Sequence, residues 1–134
     1  MVHFVGAGPG ATDLITVRGQ NLLKEADVII YAGSLVNKEH LNLAKEGCGI
    51  YNSASMTLEE VIDVIKKAEQ EGKMTVRLHT GDPSIYGAIR EQMDLLNELH
   101  IAYDVVPGVS SFCGAAAALK AEYTLPDVSQ TVII

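Results

Sequence analysis

Cations are scarce in this chain. Ten lysines and arginines face 17 aspartates and glutamates over 134 residues, a formal charge of −7 and a pI near 4.9. Non-specific binding to DNA or RNA needs clustered cations to neutralise phosphates, so no nucleic-acid partner is expected. An anionic small molecule would need a local basic patch or help from another part of the protein. Cysteine is equally sparse: Cys48 and Cys113 lie far apart and form no CxxC. They read most simply as two free, buried or half-buried thiols in a reducing compartment, with a pair or a nucleophile as the alternative. No apolar run approaches the roughly 18 residues that span a bilayer. Met1–Val5 leads straight into a strand and a glycine turn with no basic stretch, so neither a signal peptide nor a membrane partner is expected and the location is read as cytoplasmic. His3, His40, His79 and His100 are scattered, without the spacing of a metal site. Low-complexity tracts and internal repeats are missing as well.

What is present is a core. Apolar residues make up 48% of the chain, enough for one α/β domain over 1–130. Short apolar runs alternate with helical stripes. Strands are expected at Val2–Val5, Asp27–Tyr31, Gly49–Asn52, Met74–Leu78 and Tyr103–Val106. Between them, a helix continues one stripe from Ile15 through Leu22, Leu23 and Ala26, with Thr16 or Thr12 as its N-cap and Gly19 allowing close approach to the sheet. A short helix over Lys38–Glu46 ends at Gly47. The next is specified best: Thr57-Leu58-Glu59-Glu60 is a capping box, and Gly72 closes the end. A further helix beginning near Ile85 presents Ile85, Ile89, Met93 and Leu96, with Arg90 and Asp94 as an i,i+4 pair. An alanine-rich helix over Ser110–Lys120 is small enough to pack closely on the sheet. Thr131–Ile134 reads as a sixth strand just beginning, the start of a linker or second domain. The expected fold is α/β: an open, mainly parallel sheet of about five to six strands flanked by helices.

Three of these strands end in turns of one character: Gly6-Ala7-Gly8-Pro9-Gly10, Thr80-Gly81-Asp82-Pro83 and Pro107-Gly108-Val109-Ser110-Ser111. In an open α/β sheet such turns share the carboxyl edge, where small ligands bind. Glycines there let a ligand approach the backbone, Asp82 can accept bonds from an amine or ribose, and Ser110 and Ser111 offer hydroxyls and helix-start amides. Gly6–Ala11 also fits a loose dinucleotide pattern. That reading wants an acid at the end of the second strand, where Tyr31-Ala32-Gly33 stands instead, and Pro9 removes an N–H from the loop. No Lys-Ser/Thr follows the glycines, so a P-loop is excluded. A neutral-to-acidic pocket suits a ligand carrying an amino group and a cation better than one carrying phosphates.

The runs VGAGPGATDLITVRG, ADVIIYAGSLV, RLHTGDPSIYGAIREQM and VPGVSSFCGAAAAL carry a resemblance to the tetrapyrrole methylase family. Its members transfer a methyl group from S-adenosylmethionine. Within it, YAGSLV and HTGDPSIYGAIREQ are similar to the branch acting on precorrin-4 in corrin synthesis. The resemblance implies a two-domain homodimer with S-adenosylmethionine in the cleft between domains and a tetrapyrrole of the precorrin-4 type as substrate. It places cofactor contacts at Pro9, Thr80, Gly81, Asp82, Ile85, Tyr86, Ser110 and Ser111, Ile85 being equally readable as core. Uroporphyrinogen-III methylases carry Tyr-Asp after the second strand; here Tyr31 is followed by Ala32, so no catalytic acid or base carries over. The second domain would lie beyond residue 134. For the substrate's carboxylates, Arg18, Lys38 and Arg90 are the local cations, though each reads more simply as solvated surface charge. Other methylases of the fold (another precorrin, uroporphyrinogen-III, diphthine or rRNA), a nucleotide-binding oxidoreductase domain, and a non-catalytic binding module remain as alternatives.

Overall fold

A computed structural model describes residues 1–134. The strands are β1 (Val2–Gly6), β2 (Val28–Tyr31), β3 (Gly49–Asn52), β4 (Thr75–His79) and β5 (Tyr103–Val106); the helices are α1 (Val17–Glu25), α2 (Leu58–Gln70), α3 (Arg90–Glu98) and α4 (Ser111–Leu119). They form one five-stranded sheet in the order β3-β2-β4-β1-β5, and every neighbouring pair is parallel. Parallel strands need crossovers, and the crossovers cover both faces. Val5, Leu23, Ile29, Val76 and Leu78 form the core on the α1 side, while Phe4, Ile30, Ile65 and Leu96 form the other beneath α2 and α3. No helix is long and apolar enough to cross a membrane.

The order places two central neighbours back to back. β1 connects to β2 past β4 on the α1 face and β4 connects to β5 past β1 on the α3 face, so the two chains leave their shared carboxyl edge toward opposite faces of the sheet. Such a reversal opens a crevice at the carboxyl edge.

Local chemistry accounts for the elements. Thr16 Oγ1 accepts from the Gly19 amide at 3.1 Å and caps α1. A Cβ on Gly19 would stand 2.9 Å from Val5 Cγ1, so the glycine brings α1 onto the sheet. At α2, Thr57 Oγ1 accepts from the Glu60 amide at 3.2 Å and Glu60 Oε2 accepts from the Thr57 amide at 2.8 Å. Gly72, at φ +67°, ends that segment as expected.

Several expectations are not met. Lys38–Leu43 is a 3₁₀ segment, not an α-helix. Asn37 Oδ1 accepts from Glu39, only two residues on, and Asn37 Nδ2 donates to the Gly10 carbonyl, drawing the segment toward the first turn. The helix expected from Ile85 starts at Arg90, because Tyr86 and Ala88 take left-handed φ values of +54° and +49°. The alanine-rich α4 does not pack on the sheet, and none of its residues is buried. Both sheet faces are already covered, and α4 touches the first turn through Gly114, where a Cβ would stand 2.7 Å from Pro9 Cβ. Cys113, carried on α4, is therefore exposed, whereas Cys48 is half-buried; both thiols are free. Finally, 131–134 pairs with no strand and lies against Phe112 and Tyr123. The sheet has five strands without it.

Candidate functional site

The turns after β1, β4 and β5 meet backbone to backbone. The Ala7 amide donates to the His79 carbonyl at 2.7 Å, and Gly8 and Gly81 exchange amide–carbonyl bonds of 3.2 and 2.8 Å. A Cβ on Gly6 or on Gly108 would collide with the Gly81 carbonyl oxygen, so only glycine permits this junction. Asp82 fastens it: Oδ1 accepts from the Ser84 amide at 2.8 Å and Oδ2 from the Gly108 amide at 2.9 Å. Gly81, at φ +59°, passes close to Ser110: a Cβ added to Gly81 would stand 3.5 Å from Ser110 Cα.

Beside this junction lies a cleft of about 280 Å³. Thr80, Gly81, Asp82 and Ile85 line it, as do Tyr86, Ser110 and Ser111, so the fold brings seven of the eight residues singled out in the sequence to one place. Pro9 is on the same edge but is not part of the lining; it supports α4 from below through Gly114. Ser110 occupies the N-cap of α4 without a capping bond, leaving its hydroxyl available. Arg18, Lys38 and Arg90 do not line the cleft, and Arg90 pairs with Asp94 at 3.0 Å. The lining thus carries one carboxylate and no lysine or arginine.

Four lining residues escaped sequence reasoning: Ala32, Leu35, His79 and Gly87. Ala32 and Leu35 arrive because β2 pairs with β4, a neighbour relation that no local pattern announces. His79 was hidden by alternation. Thr75, Arg77 and His79 look like the solvent side of β4, yet all three are buried. Arg77 donates to Gln92 Oε1, the Ile30 carbonyl and Ser53 Oγ, and burial pushes its pKa down to about 10. His79 is 3% exposed, with Nε2 unpartnered. Burial, and then the Arg77 charge, push its pKa down to about 3, so the imidazole is neutral at ordinary pH. His40, 1% exposed and without a partner on either ring nitrogen, lies outside the cleft; burial lowers its pKa too.

A parallel sheet with a glycine-walled cleft where its strand order reverses has the architecture in which open α/β domains bind small ligands at the carboxyl edge. The chain belongs to the tetrapyrrole (corrin/porphyrin) methylase family, whose family model matches residues 1–133. It is 61% identical over 133 residues to a cobalt-precorrin-4 C(11)-methyltransferase of Methanocaldococcus jannaschii, covering 99% of this chain and 51% of that protein. It is 48% identical to a precorrin-4 C(11)-methyltransferase of Mycobacterium tuberculosis, covering 99% and 53%. The crystal structure of a cobalt precorrin-4 methyltransferase superposes with a TM-score of 0.96 at 50% identity, over 98% of this chain and 55% of that one. A Thermus thermophilus uroporphyrin-III C-methyltransferase complexed with S-adenosylhomocysteine superposes with a TM-score of 0.72 at 34% identity, over 86% and 47%. The chain therefore spans about half the length of the curated relatives it matches.

Proposed function

We propose that this chain is the donor-binding N-terminal half of an S-adenosylmethionine-dependent methyltransferase. Its substrate is precorrin-4 or cobalt-precorrin-4, methylated at C11 in corrin synthesis. The complete enzyme is a cytoplasmic homodimer with a second domain over the cleft. The observation that carries this reading is the junction of three turns around one cleft, in a chain 61% identical to a relative of that name. The residues fit the donor. The lining offers hydroxyls at Thr80, Ser110 and Ser111, an open backbone at Gly81 and an apolar wall at Ile85. One carboxylate and no lysine or arginine favour a ligand with positive charge on its sulfonium and amine. At about 280 Å³ the cleft is at the small end for a ligand of this size, which accords with a site completed by a second domain.

When bound, the donor supplies an electrophilic methyl group to a nucleophilic ring carbon. The chain's own task is alignment and exclusion of water. Thr80, Asp82, Ser110 and Ser111 orient the donor; the rigid glycine junction fixes their spacing. No residue is assigned as a catalytic acid or base. His79, with its pKa near 3, is a poor proton acceptor at neutral pH.

The test uses the complete enzyme. S-adenosylhomocysteine should raise its melting temperature, and a ¹³C-methyl donor should place label on C11 of the tetrapyrrole, read by NMR. Stabilisation by NADH instead would establish the oxidoreductase reading. Label on another carbon or another substrate would make it a different methylase of the fold. Assays with and without cobalt in the ring separate the two precorrin-4 routes.

A further inference from the structure

Three apolar side chains stand in or at the edge of solvent around the cleft. Tyr86 is 89% exposed, Leu35 76% and Ile85 38%. They come from two different turns, and exposed apolar groups gathered at one site mark an interaction surface. Tyr86 is also held at a cost. Its φ of +54° is one that residues with a Cβ rarely adopt, and Ala88 two residues on repeats it at +49°. The surrounding bonds enforce this conformation. The Ile85 amide donates to the Asp82 carbonyl at 3.1 Å, and Gln92 Nε2 donates to the Ala88 carbonyl at 3.2 Å. Between Tyr86 and Ala88, Gly87 is wedged against Pro83 so tightly that a Cβ would collide with its carbonyl oxygen. An aromatic residue kept strained and in water by a fastened loop is a sign of use.

Charge then decides what sits on it. The lining has no lysine or arginine, and both Asp82 oxygens already accept backbone amides. A ligand's carboxylates find no cation there and meet an acid. What the outer part of the cleft offers is apolar and aromatic area, suited to the face of a large, mainly hydrocarbon macrocycle. We propose that Tyr86 and Leu35 seat the ring face of the tetrapyrrole substrate, leaving the polar floor at Thr80, Asp82, Ser110 and Ser111 to the methyl donor. This assignment rests on the methylase reading above, and it moves Tyr86 from donor contact to substrate contact.

The experiment takes the complete enzyme and the variants Tyr86→Gly, Tyr86→Phe and Ala88→Gly. Melting temperature, S-adenosylhomocysteine affinity by calorimetry, and kcat and KM for cobalt-precorrin-4 are measured for each. Tyr86→Gly relieves the left-handed strain while removing the ring. It should hold or raise the melting temperature, keep S-adenosylhomocysteine affinity within about twofold, and raise KM for the tetrapyrrole at least tenfold. Tyr86→Phe should recover most of that loss. Ala88→Gly, which relieves strain in the same loop without touching the ring, should leave KM unchanged. Unchanged KM in Tyr86→Gly overturns the proposal. So does a parallel loss of S-adenosylhomocysteine affinity, which would put Tyr86 against the donor, or a marked fall in melting temperature, which would put it beneath another part of the protein. If the unaltered enzyme fails to bind S-adenosylhomocysteine, the methylase reading itself fails. Binding without a KM effect removes only this inference.

Discussion

Asp82 shows how a residue picked out for ligand chemistry also holds the site together. Its two oxygens tie the Ser84 and Gly108 amides, joining the turns after β4 and β5. Hydrogen bonds to a charged acceptor are each worth more than a neutral pair. We expect Asp82→Ala to cost about 2 kcal/mol in urea denaturation and to weaken S-adenosylhomocysteine binding, with Asp82→Asn intermediate because it keeps one acceptor oxygen. Full stability in Asp82→Ala would mean that the junction stands on its glycines alone. His79 makes a different prediction. Folded, it protonates near pH 3; unfolded, near 6.5. Between those values the unfolded chain binds a proton that the folded chain does not. Stability therefore falls as pH drops, by about 1.4 kcal/mol per pH unit once well below 6.5. His40, also buried neutral, acts in the same sense. Unfolding curves from pH 7 to 5 should show this decline, and His79→Leu should reduce it. His79 was invisible as a site residue because a polar residue alternating with Val76 and Leu78 reads as surface. The polar face is buried here because α3 supplies Gln92 to Arg77.

At the scale of elements, legibility followed the range of the forces involved. The cap of α2, the close approach of Gly19 and the end at Gly72 depend on residues a few positions apart, and the sequence displays them. The segment Ile85–Ile89 does not behave so. Ile85 and Ile89 have helical spacing, but Gly87 locked on Pro83 and two left-handed residues keep an irregular loop there. The two kinds of element should respond differently to substitution. Thr57→Ala removes one side of the capping box on a helix away from the cleft. It should cost about 1 kcal/mol and leave S-adenosylhomocysteine affinity within twofold. Gly87→Ala places a methyl group where the Pro83 carbonyl stands, so the loop bearing Ile85 and Tyr86 must shift. We expect at least a tenfold loss in kcat/KM, read from initial rates. If Thr57→Ala impaired binding as severely as Gly87→Ala, the loop would hold no special place in the site.

For the whole molecule, the three turns could be named from the sequence because each follows an apolar run and breaks on glycine. Their convergence needed the strand order β3-β2-β4-β1-β5, which rests on pairings between residues as distant as Val2 and Tyr103. The same scale governs what the domain does alone. Its cleft is open, no residue of α4 is buried, and Leu119, Val128 and Ile133 stand in solvent. If a second domain covers these surfaces, most of the donor's contact area comes from that domain, while the folding of the sheet does not depend on it. Residues 1–134 by themselves should then show the circular dichroism of a folded α/β domain, and they should self-associate in sedimentation velocity through the uncovered apolar side chains. In calorimetry they should bind S-adenosylhomocysteine at least tenfold more weakly than the complete enzyme. Equal affinity in the two forms would mean that the three turns supply the whole binding energy, and that a second domain serves the tetrapyrrole instead of the donor.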